Sequence, residues 1–180
     1  DTLLRDPMIA LIERLARDFE AFAPDLVANP KVSLYGIYRD TRFSENKAPL
    51  KTHAAAMFPC RGLAKHQGAG LYLEVAAGWV WVGGGMYAPE TSTLQAVREH
   101  IAANLRRFRA IVGSPGFRRA VGRLSGDQLQ RVPRGFARDH EAADYLKFRQ
   151  FLAGREFPAS FAWSPRFYRI LPTWKSKLRQ

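Results

Sequence analysis

A chain of 180 residues is long enough to bury one sizeable core and short for two. With 47% hydrophobic residues, no repeat and no low-complexity run, it reads as one ordinary folded domain rather than a disordered segment. No apolar stretch reaches bilayer-spanning length, and Cys60, the single cysteine, excludes an intrachain disulfide and suits a reducing, cytoplasmic setting.

The first predicted element is a helix opened by Asp6-Pro7. Its apolar face is Met8, Leu11, Ile12, Leu15, Phe19 and Phe22, and Pro24 stops it. Asn29-Pro30 marks a turn, and residues 32–38 read as a strand in which Gly36 signals a bulge or close backbone approach. A basic loop follows. Residues 54–58 suit a short buried strand, whereas 71–76 and 79–83 are β-prone runs joined by Ala77-Gly78, the pattern of an antiparallel hairpin. Together these make a sheet of about four strands in the first half of the chain.

After Gly83-Gly84-Gly85 a long helix is expected from Thr91 or Ser92 to Gly113, striped by Leu94, Val97, Ile101, Leu105, Phe108 and Val112. Ser114-Pro115 caps a shorter helix with Phe117, Ala120, Val121 and Leu124 on its face. Asp139 predicts a helix through Leu152 closed by Gly154, residues 157–163 an aromatic linker, and Ser164-Pro165 a last helix carrying Phe167, Leu171, Trp174 and Leu178. The fold class is therefore α+β: an antiparallel sheet with helices, mostly from the second half, gathered on one face.

The stretch from Arg39 to His53 concentrates the chemistry. It combines Arg39, Asp40, Arg42, Ser44, Lys47, Lys51 and His53, the bases fall off helical spacing, and the acids are too few to pair with them. One reading is an anion pocket, since guanidinium forks fit carboxylate or phosphate and lysines add point charges. The other is a structural network with Asp40 clamped between Arg39 and Arg42 and the lysines solvated. Gly83, Gly84 and Gly85 either cradle a phosphate with backbone N–H groups or let the backbone pack closely against a neighbouring Trp or Tyr. Trp79 and Trp81 share a sheet face, as core or as a pocket wall.

His53 would serve as acid or base, making the chain an enzyme, only if an acid poises it. Asp139-His140-Glu141 reads as helix-start chemistry. His53, His66, His100 and His140 lack zinc-like spacing, and neither a P-loop nor a dinucleotide fingerprint is present, so no metal or cofactor is expected. The leading expectation is a small anionic or phosphate-containing ligand held between the basic loop and the glycines. An alternative rests on charge: the net +12 is uneven, and residues 98–134 hold nine Arg against Glu99 and Asp127. That face would suit nucleic acid or an acidic protein partner, although a GC-rich genome produces the same composition.

The run Arg39-Asp40-x-Arg42-Phe43-Ser44-x-x-Lys47-x-Pro49-x-Lys51-Thr52-His53, followed by Gly83-Gly84-Gly85, Pro133-x-Gly135-Phe136 and Asp139-His140, resembles the DUF2461 family of bacterial and fungal domains. The resemblance implies a single domain over residues 1–180 and carries no activity. Family members have an additional N-terminal segment with a Trp-Phe pair, so a chain opening at Asp1 is expected to lack its start.

Overall fold

The computed structural model describes residues 2–38, 45, 47–48, 50–165 and 167. Helix α1 (Thr2–Phe22) begins a turn earlier than Asp6-Pro7 suggests and contains Pro7. It buries Met8, Ile12, Leu15 and Phe19, the stripe expected from the sequence. A single helical turn, α2 (Pro30–Ser33), takes up the first two residues of the segment expected to be a strand. The reason is local: the Asn29 side chain accepts from Lys31 N at 2.9 Å and Pro30 is preset for a first helical position. Beyond it the chain meets β1 through an isolated bridge from Leu34 to Ala56 and a bond from Tyr35 N to Ala55 O at 2.9 Å, and Tyr38 bridges to Leu50 outside the sheet.

Strands β1 (His53–Phe58), β2 (Gly70–Ala76) and β3 (Trp79–Met86) form an antiparallel meander, and Ala77-Gly78 turns β2 into β3 as expected. The fourth strand, β4 (Phe151–Pro158), pairs antiparallel with β3 and closes the order β1-β2-β3-β4. This corrects the expectation of a helix over 139–152 and an aromatic linker over 157–163. Around Asp139 only one helical turn, α6 (Ala143–Leu146), forms, and residues 159–163 make a 3₁₀ turn. Eight residues matched to the open edge of β3 gain a ladder of backbone hydrogen bonds that a continued helix would forgo.

The expected long helix is two, α3 (Thr91–Ala103) and α4 (Leu105–Val112). They part at Asn104, whose side-chain Nδ2 donates to His100 O at 2.9 Å and so competes for a helix carbonyl. Helix α5 (Pro115–Val121) starts as read, with Ser114 Oγ accepting from Phe117 N at 3.0 Å. Of the predicted last helix, Phe167 is buried against the main core; the rest lies outside the described residues.

The alternation of each strand divides its side chains cleanly. Ala56, Phe58, Leu71, Leu73, Val80, Val82 and Ala153 face α1 and α5 in the main core. Ile101, Leu146, Phe148 and Phe151 make a second cluster with α3, α4 and α6. His53, Met57, Tyr72, Glu74, Trp79, Trp81 and Glu156 fall on the opposite face. The class is α+β, with the principal helices on one side and a polar, aromatic sheet face on the other.

Candidate functional site

That second face carries a groove of about 580 Å³, within the size range of small-molecule sites. Its floor is the outward set of the strands, and its end wall is Tyr35, His66 and Tyr87 from the flanking loops. Trp81 determines the shape of the floor. Gly83 and Gly154 are partners across the β3–β4 ladder, and a Cβ placed on either would collide with the Trp81 ring. The indole therefore lies flat over two residues without side chains, its edge 5.7 Å from the Tyr72 ring centroid to centroid.

Three polar groups form a line on the floor. Glu74 Oε1 sits 3.1 Å from His53 Nε2, and the Tyr72 hydroxyl donates to Glu74 Oε2 at 3.2 Å. The β1–β2 register places Ala55 opposite Glu74, so His53 and Glu74 are diagonal neighbours on one face, within reach of long side chains. Burial, then the Glu74 carboxylate, push the Tyr72 phenol well above its ordinary value, keeping it a neutral O–H donor. His53 remains partly open to solvent, at 29%.

Beside this line, with the Tyr35 ring 6.2 Å from that of Tyr72, two ammonium groups share one ring. Lys65 Nζ stands 3.8 Å from the Tyr35 ring centroid and Lys51 Nζ 5.5 Å from it. Burial, then the charge of Lys51, lower the Lys65 pKa; burial, then Tyr87, raise that of Tyr35. The Tyr35 hydroxyl lies 3.5 Å from His66 Nε2, and the two rings stack at 6.2 Å. His66 Nδ1 is buried with no partner among the described residues.

Of the residues read as a site, Lys51, His53, Gly84 and Gly85 line this groove. Lys47 is exposed and outside its lining, while Arg39, Asp40, Arg42 and Ser44 lie outside the described residues. All three glycines belong to β3, which runs three residues beyond the expected end at Gly83. Gly83 answers to Trp81, the close packing anticipated as one of its two readings. Gly85, at φ +135°, brings its backbone against the Phe151 carbonyl. Tyr35, His66, Tyr72 and Glu74 were missed; their only signal was the outward alternation of Tyr72 and Glu74 in β2.

A larger cleft of about 760 Å³ opens on the helix side between α3, α4 and the sheet, walled by Leu71, Val97, Ile101, Phe108 and Phe117. It is mainly apolar, with Asp25, Cys60, His100 and Arg107 among its lining. Arg98, counted with the arginine-rich face, is instead 6% exposed inside the second cluster, where its guanidinium donates to Phe148 O at 2.9 Å. Asp139 does not cap a helix; His140 Nδ1 accepts from Ala142 N at 3.0 Å. Among the described residues no cluster of three His, Cys, Asp or Glu is arranged to hold a metal, and no helix is long and apolar enough to cross a membrane.

A family model described as "Conserved hypothetical protein (DUF2461)" matches residues 1–178. No curated protein and no solved structure matches the chain.

Proposed function

The chain belongs to the DUF2461 family, and from its groove we propose that it binds a small ligand carrying an anionic group and a flat apolar body. The observation that carries this reading is the pair Lys51 and Lys65 beside the Tyr35 ring, close enough for the charge of Lys51 to act on Lys65, with neither ion-paired to a described residue. Two ammonium groups held together repel, and an oxyanion between them relieves that repulsion. Trp79 and Trp81 offer ring faces to the rest of the ligand. Relative to the expectation of a pocket between the basic loop and the glycines, this reading keeps Lys51 from the loop and adds Lys65.

The test is a thermal shift with phenyl phosphate, benzoate and inorganic phosphate. A ligand bound only to the folded state at a hundred times its Kd adds about 2.7 kcal/mol, or roughly 5–11 °C for a domain this size. Lys51→Ala with Lys65→Ala should abolish the shift. Equal shifts in wild type and double variant would leave only the generic stabilisation that excluded anions give and would refute the reading.

A second reading, binding of a polyanion or acidic partner by the arginine-rich face, rests on the exposure of Arg106, Arg107, Arg118, Arg119, Arg123, Arg131 and Arg134. Arg98 drops out of it. Retention on nucleic acid that falls steeply with salt and increases with polymer length would favour this surface over the groove.

A further inference from the structure

The groove holds an acid–base device that ligand binding alone does not call for. We propose that His53 is a general base that removes a carbon-bound proton beside the carbonyl of a small anionic carbonyl compound, with Glu74 as its positioning residue. This deepens the anion-groove reading and rests on it.

Glu74 accepts from Tyr72 through one oxygen and faces His53 Nε2 through the other, so the carboxylate is held from both sides. With Nε2–H directed at Glu74, the imidazole lone pair is on Nδ1, which has no partner among the described residues. A histidine base oriented by a carboxylate is the arrangement by which catalytic triads move protons. The described lining contains no Ser, Thr or Cys, so no hydroxyl or thiol nucleophile of those types stands beside His53. Lys51 and Tyr35 line the same groove, Lys65 stands against the Tyr35 ring, and Tyr35 is kept neutral by burial as an O–H donor.

The step balances without a further reactant. His53 Nδ1 takes the proton, the C–H electron pair becomes the carbon–carbon double bond, and the carbonyl oxygen takes the negative charge beside Lys51 and Tyr35. The Glu74 carboxylate offsets the positive charge formed on the imidazole. Reprotonation from solvent returns the carbonyl compound, or its isomer if the proton arrives elsewhere.

Exchange in D₂O reads this directly. Phenylpyruvate, 2-oxoglutarate and dihydroxyacetone phosphate are incubated with the protein, loss of the C–H signal is followed by proton NMR against a protein-free control, and binding is measured by thermal shift. At least one probe that binds should exchange faster with wild type. His53→Gln should bind it with similar Kd and lose about 100-fold or more of the exchange, the scale of general acid–base catalysis. His53→Asn replaces that variant if it fails to fold. Glu74→Ala should slow exchange with Kd unchanged, and Glu74→Gln, which keeps an acceptor for Nε2–H, should recover part of it. Binding without exchange, or equal exchange in wild type and His53→Gln, overturns the proposal and leaves the binding reading standing. No binding by any probe overturns both.

Discussion

Replacing Gly83 by alanine tests the packing that shapes the groove floor. A methyl there meets the Trp81 ring, and since this is the far end of a side chain, the indole lifts rather than the backbone breaking. Overpacking of this kind costs about 1–3 kcal/mol. Alanine recovers about 0.5–1 kcal/mol relative to glycine within a strand, so the net loss is about 1 kcal/mol, up to about 2.5. For a domain of this size that lowers Tm by about 2–4 °C per kcal/mol. The decisive comparison is the same change in a Trp81→Val background. With the ring gone the clash vanishes and only the backbone gain remains, so Gly83→Ala should stabilise by about 0.5–1 kcal/mol. Urea unfolding of the four proteins, followed by far-UV circular dichroism, gives the cycle. Destabilisation of equal size in both backgrounds would show that the indole does not lie on Gly83.

Gly85→Ala should cost about 1–3 kcal/mol with no relief from Trp81→Val, because its obstacle is the Phe151 carbonyl and its φ of +135° disfavours a side chain; the same unfolding series separates the two glycines. Arg98→Ala should destabilise by about 1.5–3 kcal/mol by removing a charged donor from Phe148 O, whereas Arg106→Ala on the exposed side of α4 should stay within about 0.5 kcal/mol. Equal effects would place Arg98 on the surface. Tyr72, with its folded pKa raised above 10.0, keeps its proton after the unfolded chain has released it, so its contribution is intact below pH 10 and declines above it. Lys65, lowered from 10.5, acts with the opposite sign, its contribution rising with pH toward that value. Tyr72→Phe should therefore lessen the alkaline fall in Tm between pH 9 and 11 (about one unit either side of the phenol's usual pKa), and an unchanged slope would refute the assignment. Ser114→Ala should cost about 1 kcal/mol through loss of the α5 cap, measured by the same melts.

What was legible in the sequence is what short-range periodicity encodes. The 3.6-residue stripe of α1, the alternation of 71–76 and 79–83 about Ala77-Gly78, and the Ser114-Pro115 start of α5 each depend on neighbours within a turn or a hairpin. They were enough for an α+β fold and for three of the four strands of its antiparallel sheet, and Trp79 and Trp81 were placed on one face. Pairings between distant segments were not legible. Residues 151–158 become a strand because the β3 edge, some seventy residues earlier, is open to them. Gly154 then serves the Trp81 ring rather than a helix end. Arg98 lies off its own helix's apolar stripe, yet α6 and the 148–151 segment close over it. The site divides the same way: Lys51 and His53 stood out by composition, but the partner of His53 is set by the β1–β2 register, and Lys65 meets Tyr35 only when two loops fold over the same strand edge. A single sequence displays local propensity; which long-range pairing recovers the most buried surface and backbone hydrogen bonds is decided only when the whole chain is packed.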